Sequence, residues 1–387
     1  MLDAASLPGA PAPLWFVLFF KIVGFILHAV LMNLWLAGLP AAALCYFSWS
    51  ENARRWAKRF FKQLPVIMAF GINFGIVPLL FIQVLFYKPF YTSTVLMAWQ
   101  WLLVLLWLMI SYYCVYIVAF AVKQEDGGVS SERRVRVFSM IAVACLFIAG
   151  ITMTTGLTYM ASPELWLTGW QKTQIGGAVY GTVTPTHNWA VLCRWCAMFG
   201  IAMITTVVWA MIDAFWFVKD NPASSDSTEE QNAAYRAWIL KFAGYVGIIG
   251  AAIATVSYNY YLMKVIPANV YAALRISPYI YLTGLSAGVF LIPVILISFT
   301  KILPNKKIMA AVTFLAQIGA IAVYSIVRQW IQYLEISSWL DVAKIPTATQ
   351  WSPMIAFLAV FVVGVSVCLW IVSRCIFAVN HPQKARK

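Results

Sequence analysis

Apolar residues run through this chain in long blocks separated by short polar segments. Nine blocks reach the length of about 20 residues that a helix needs to cross a bilayer. They cover about Leu14–Phe47, Leu64–Tyr87, Thr94–Val122, Val137–Ala161, Trp189–Val218, Trp238–Met263, Pro278–Phe299, Ile308–Trp330 and Met354–Ser373. Period-two alternation is absent, which argues against a β-barrel. The pattern predicts an all-α, polytopic membrane helix bundle of about nine transmembrane helices, forming one integral-membrane domain over residues 1–387. The first block exceeds what a bilayer needs and predicts tilt or an interfacial extension. Met1–Pro13 carries no Lys or Arg, unlike the start of a cleaved signal peptide.

Composition agrees with lipid as the solvent. Hydrophobic residues make up 63% and charged residues 10%, against about 25% charged in an ordinary globular protein. Mean hydropathy is +0.81. A soluble fold has too little interior to hide that much apolar surface.

The net charge of +14 would suggest a nucleic-acid partner if it were a surface patch. Its distribution says otherwise. Arg54, Arg55, Lys58, Arg59 and Lys62 follow the first block, and Lys123, Arg133, Arg134 and Arg136 follow the third. Lys219, Arg236 and Lys241 follow the fifth, and Lys301, Lys306 and Lys307 the seventh; Arg374, Lys384, Arg386 and Lys387 close the chain. The opposite ends hold only Lys88, Lys172, Lys264, Arg275, Arg328 and Lys344. The positive-inside rule then predicts the N-terminus outside and the C-terminus in the cytoplasm. The charge is a topology signal with some attraction to anionic lipids, and no nucleic acid is expected.

The loop Asn221–Asn232 has a flexible, polar composition. Ser162–Asn188 and Gln332–Ser352, on the opposite side, are long and carry Trp166, Trp170, Tyr180, Trp339 and Trp351. They read either as an interfacial aromatic belt or as a folded cap that docks an outer partner.

Candidate chemistry is sparse. The seven cysteines lie mostly inside the blocks, and Cys193-x-x-Cys196 lacks the following His of a covalent haem site, so packing is the favoured reading. There are three histidines. His381 lies in the tail, and His187 lies just before the fifth block. His28 lies near the middle of the first, where an ionisable group is costly and imidazole is a common axial ligand of haem. Met32 is one turn further on the same face, with Asn33 beside it. His28 is read either as such a ligand or as a neutral residue bonded to a neighbouring helix. Lys21 is positioned to snorkel, and Asp213 lies near the inner end of the fifth block. Arg194 and Arg328 lie at outer ends, where a guanidinium pairs with a carboxylate, a haem propionate, a quinone oxygen or helix-end carbonyls. No Asp or Glu lies in the middle of a block, which disfavours a pump, an ion-coupled transporter or a full oxygen reductase.

Four segments carry a family resemblance. They are "LHAVLMNLWLAG" (Leu27–Gly38), "FGINFGIVPLLFIQVLFYKPFYTS" (Phe70–Ser93), "PTHNWAVLCRW" (Pro185–Trp195) and "VRQWIQYL" (Val327–Leu334). With the topology, they make the chain resemble subunit I of the cytochrome bd quinol oxidases, and more closely the divergent bd-like membrane proteins found beside multihaem cytochromes c in bacteria. The resemblance implies a haem b ligand at His28 and a second haem held by a helix-five histidine and a helix-seven methionine. Here Cys193 stands near the helix-five position, with His187 almost two turns earlier, and the seventh block has no methionine. The membrane glutamates and the long quinol loop of the oxidases are also missing; the corresponding loop is only about Lys264–Ser277.

What the resemblance implies is a multi-pass subunit of a respiratory electron-transfer complex in the bacterial inner membrane. It would link the quinone pool to an outer, periplasmic cytochrome c-type partner through one b-type haem, in contact with other membrane subunits. His28 with Met32 and His187, and Arg194 with Arg328, are the candidate cofactor-binding residues, and His28 the candidate metal ligand. Two alternatives stand beside it. One is a haem-free anchor with a bd-like fold; the other is a quinone-reactive subunit of the NrfD/PsrC type.

Overall fold

A computed structural model describes residues 9–123, 129–185, 189–218, 228–276 and 279–380. The order of helices is α1 (Leu14–Leu36), α2 (Gly38–Tyr46), α3 (Glu51–Leu85), α4 (Tyr87–Leu96), α5 (Ala98–Lys123), α6 (Val129–Tyr159), α7 (Glu164–Thr173) and α8 (Trp189–Ile212). It continues with α9 (Glu229–Tyr260), α10 (Ala268–Ile276), α11 (Ile280–Ser286), α12 (Leu291–Thr300), α13 (Lys306–Ser337) and α14 (Trp351–Asn380). Single π-helical turns, Asp213–Phe217 and Tyr261–Val265, close α8 and α9. Eight helical stretches are long and apolar enough to cross a membrane, or nine if the bent pair α11 and α12 counts as one span. Extended pairing among the described residues is limited to isolated bridges, one of which ties Ala10 to Thr347.

The boundaries differ from the apolar blocks where polar residues belong to a helix. α3 begins well before Leu64. Ser50 caps it by accepting the Ala53 N–H, and Ala53, Trp56, Ala57, Phe60, Phe61 and Leu64 are buried at helical spacing among the Arg and Lys residues. The helix runs on through Pro65 and Pro78. The first block is divided at Ala37 into α1 and α2. The seventh block is broken, with α11 and α12 bent by 49°; its expected start at Pro278 lies outside the described residues. Asn259 donates to the Ala287 carbonyl at the break (2.9 Å), satisfying a group that the bend frees. The eighth block extends past Trp330 to Ser337, so the first part of the segment Gln332–Ser352 is helix and not loop.

Helix α8 is the centre of the bundle, with 61% of its apolar window buried, whereas the corresponding window of α14 is 0% buried. Phe357 and Phe361 hold α14 to Phe16, Phe20 and Phe81. α8 and α9 approach to backbone contact. A Cβ on Gly200 would lie 2.5 Å from the Gly250 carbonyl oxygen, so only glycine fits there. The basic residues that follow α2, α5 and α12 and those at the starts of α3, α6, α9 and α13 mark one end of the bundle, termed the basic end. The other is termed the sparse end.

The aromatic loop between α6 and α8 folds back on the bundle through residue 185. Trp166 donates to the Tyr159 carbonyl (2.9 Å) and stands edge-on to Trp339. Trp99 N–H and Val183 N–H bond Gly181 and Leu96 across the segment. Gly181 adopts φ 78°, a left-handed conformation that a side chain would strain.

Candidate functional site

Helices α1, α8 and α13 bring most of the buried polar groups together. On α8 these are Arg194, Thr205, Trp209 and Asp213, spaced so that they share one face. From Arg194 to Asp213 that stripe covers roughly 28 Å, close to the bilayer's hydrocarbon thickness. On α13 the matching positions are Gln317, Tyr324, Arg328, Gln332 and Glu335.

His28 sits where α1 meets α3. Its Nδ1 is 2.8 Å from the carbonyl oxygen of Gly71. A carbonyl only accepts, so Nδ1 carries the proton, and in the neutral ring Nε2 keeps its lone pair. Gly75 makes the approach feasible, because a Cβ there would lie 2.8 Å from both Nδ1 and Cε1 of the ring. Trp35 stands edge-on to the imidazole at 6.0 Å. The second reading of His28 is therefore met: it is bonded to a neighbouring helix. Met32 is half-buried against the main apolar core. Asn33 is fully buried instead, and its amide donates to Thr205 Oγ1 at 3.0 Å. Gln317 donates to the same hydroxyl at 2.9 Å, and Thr205 donates to Ile201 O. His187 and His381 lie outside the described residues.

At the sparse end the two arginines have different surroundings. Arg194 is paired with a carboxylate. Its guanidinium binds Glu335 at 2.8 and 2.9 Å, Thr158 at 3.2 Å, and the Tyr261 hydroxyl through both Nε and Nη2. Tyr261 in turn donates to Glu335 at 3.0 Å. Arg328 lies instead over the Phe25 ring, 4.4 Å from its centroid. Among the described residues, neither its guanidinium nor the Tyr324 hydroxyl has a hydrogen-bond partner. One turn further along α13, Gln332 accepts from Lys21 Nζ at 2.7 Å. Lys21 is 4% exposed and packs on Phe86, so it is buried in the bundle and does not snorkel. Arg194, Arg328, Tyr258, Tyr261, Tyr324 and Cys193 line a cavity of about 20 Å³, room for about one water-sized group. Cys193 and Cys196 are free thiols.

The basic end has its own closed network. Arg59 binds both carboxylate oxygens of Asp213, at 2.6 and 2.8 Å, and Gln63 adds a third donor at 2.8 Å. Trp209 donates to Gln63 (2.8 Å), and Arg236 donates to the Ala214 and Val218 carbonyls that the end of α8 leaves open.

Among these residues, sequence reasoning singles out His28, Arg194, Arg328, Lys21 and Asp213, and it misses Glu335, Tyr261, Tyr324, Gln317 and Thr205. Glu335 was detectable, since Tyr324, Arg328, Gln332 and Glu335 continue one helical face beyond the apolar block. No family model matches this sequence, and no curated protein matches it significantly.

Proposed function

We propose that this chain is a bd-like membrane subunit of a bacterial respiratory electron-transfer complex. It lies in the inner membrane with its N-terminus outside and its C-terminus in the cytoplasm. It links the quinone pool to an outer cytochrome c-type partner and contacts other membrane subunits and lipids. The observation that carries this reading is the His28–Gly71 hydrogen bond. It fixes the tautomer an axial ligand needs and holds the ring in place. His28 Nε2 would hold a b-type haem on that side.

A bound b-type haem supplies one-electron carriage. The chain's part is to present His28 Nε2, orient the ring through Gly71, and exclude water with the Trp35 and Leu31 side chains packed around Gly71. The positive charges of Arg328 and Lys21 favour the reduced state of a carrier held nearby, which raises its potential. The test is the reduced-minus-oxidised absorbance spectrum of the purified chain, with a b-type band expected and its loss in His28→Ala. Absence of the band in the wild type would remove the haem assignment.

A haem-free anchor is the second reading. The pairing of Arg194 with Glu335 favours it, because a carboxylate of the chain itself already meets the charge that a propionate would take. Co-purification of an outer cytochrome with a chain that has no haem of its own would select this reading.

A further inference from the structure

Three cations, Lys21, Arg194 and Arg328, are enclosed at the sparse end, and Glu335 is the carboxylate bonded among them. Arg194 and Tyr261 bond both of its oxygens. A half-buried cation with no carboxylate bonded to it is costly, and one aromatic face offsets only part of that cost. The cavity beside Arg328 is lined by groups already committed elsewhere. The Tyr261 hydroxyl donates to Glu335, the Tyr258 hydroxyl accepts from Ser286 at 3.2 Å, and Arg194 is paired with Glu335. Among the described lining residues with polar side chains, Arg328, whose guanidinium only donates, and Tyr324 are left without a hydrogen bond.

We propose that Arg328 and Tyr324 form a binding site for a small inorganic monovalent anion of the chloride class. The Arg328 guanidinium, which carries a positive charge and cannot accept, selects an anion over a cation. The surplus of positive charge selects an anion over water, which would fill the space and leave the charge uncompensated. The size of the cavity selects a monatomic ion over phosphate, sulfate or a lipid headgroup, because about one water-sized group fits. Arg328 and Tyr324 lie one turn apart on α13, so the two donors are held by the same rigid helix. The site does not require a haem at His28.

The experiment uses the purified full chain in nanodiscs of zwitterionic lipid, unfolded thermally in rising chloride. Gluconate holds the ionic strength constant. The wild type is expected to gain stability with chloride along a saturating curve, as a ligand of the folded state does. Bromide is expected to substitute, and an anomalous bromide peak is expected between Arg328 and Tyr324 in crystals. Tyr324→Phe is expected to raise the half-saturating chloride several-fold, and Arg328→Gln to abolish the dependence. If Arg328→Gln fails to fold, Tyr324→Phe and the bromide peak decide the matter. No chloride dependence in the wild type, an equal dependence in both variants, or an equal response to sulfate would overturn the site.

Discussion

Arg194 and Arg328 line one small cavity, yet among the described residues only Arg194 is in an ion pair with a carboxylate. Its guanidinium is 2.8 Å from Glu335, while Arg328 rests on an aromatic ring. The two residues are alike in sequence terms, both being arginines near a helix end. The structure makes one of them a joint between α8 and α13 and sets the other against the Phe25 ring.

The joint is expected to behave as a unit. Removing one partner leaves a buried charge uncompensated, so Glu335→Gln and Arg194→Met are each expected to cost about 3–5 kcal/mol. The double variant is expected to cost clearly less than their sum. Chemical unfolding of the three variants in detergent measures this, and single variants as stable as the wild type would refute it.

Gly75 gives His28 its position. Gly75→Ala would set a methyl group 2.8 Å from the imidazole, so the ring must move and its bond to Gly71 is lost. The expected cost is about 1–3 kcal/mol. A Cβ on Gly284 meets nothing within 4 Å, so Gly284→Ala serves as the control and is expected to be neutral or mildly stabilising. Thermal unfolding of both variants separates a specific contact from a general intolerance to larger residues.

Thr205 bonds the amides of Asn33 and Gln317, drawing α1, α8 and α13 together at the centre of the bundle. Thr205→Val keeps the shape and removes the hydroxyl, leaving two buried donors unpaired at a cost of about 1–3 kcal/mol each at most. Thr205→Ser is expected to restore most of the loss. A valine variant with wild-type stability would show that the amides find other partners.

The topology is open to direct labelling. Trp49, at the basic end, is 102% exposed, and Tyr180, in the aromatic loop, is 54% exposed. With the native cysteines replaced, Tyr180→Cys is expected to react with an impermeant maleimide on intact spheroplasts, and Trp49→Cys only after lysis. The reverse pattern would invert the proposed orientation.

Much of the fold was legible because lipid leaves the backbone little choice but helix, and long apolar blocks mark the spans. The misread boundaries have a shared cause. The start of α3 and the end of α13 are polar, and hydropathy is blind to polar residues that face partners inside the bundle. His28, Arg194 and Arg328 stood out by their rarity in apolar surroundings. Their partners did not, because Arg194 and Glu335 are 141 positions apart and Asn33 and Thr205 are 172 apart. Only helix packing brings such pairs together. The same packing distinguishes an arginine paired with a carboxylate from one set against an aromatic ring.

In the proposed function, His28 Nε2 would hold a b-type haem. The most direct test is ligand replacement in His28→Gly. The wild type is expected to show a b-type haem band, the variant to lose it, and added imidazole to restore it by occupying the vacated space. A wild type without the band, or a His28→Gly variant whose band is unchanged without imidazole, would contradict the claim.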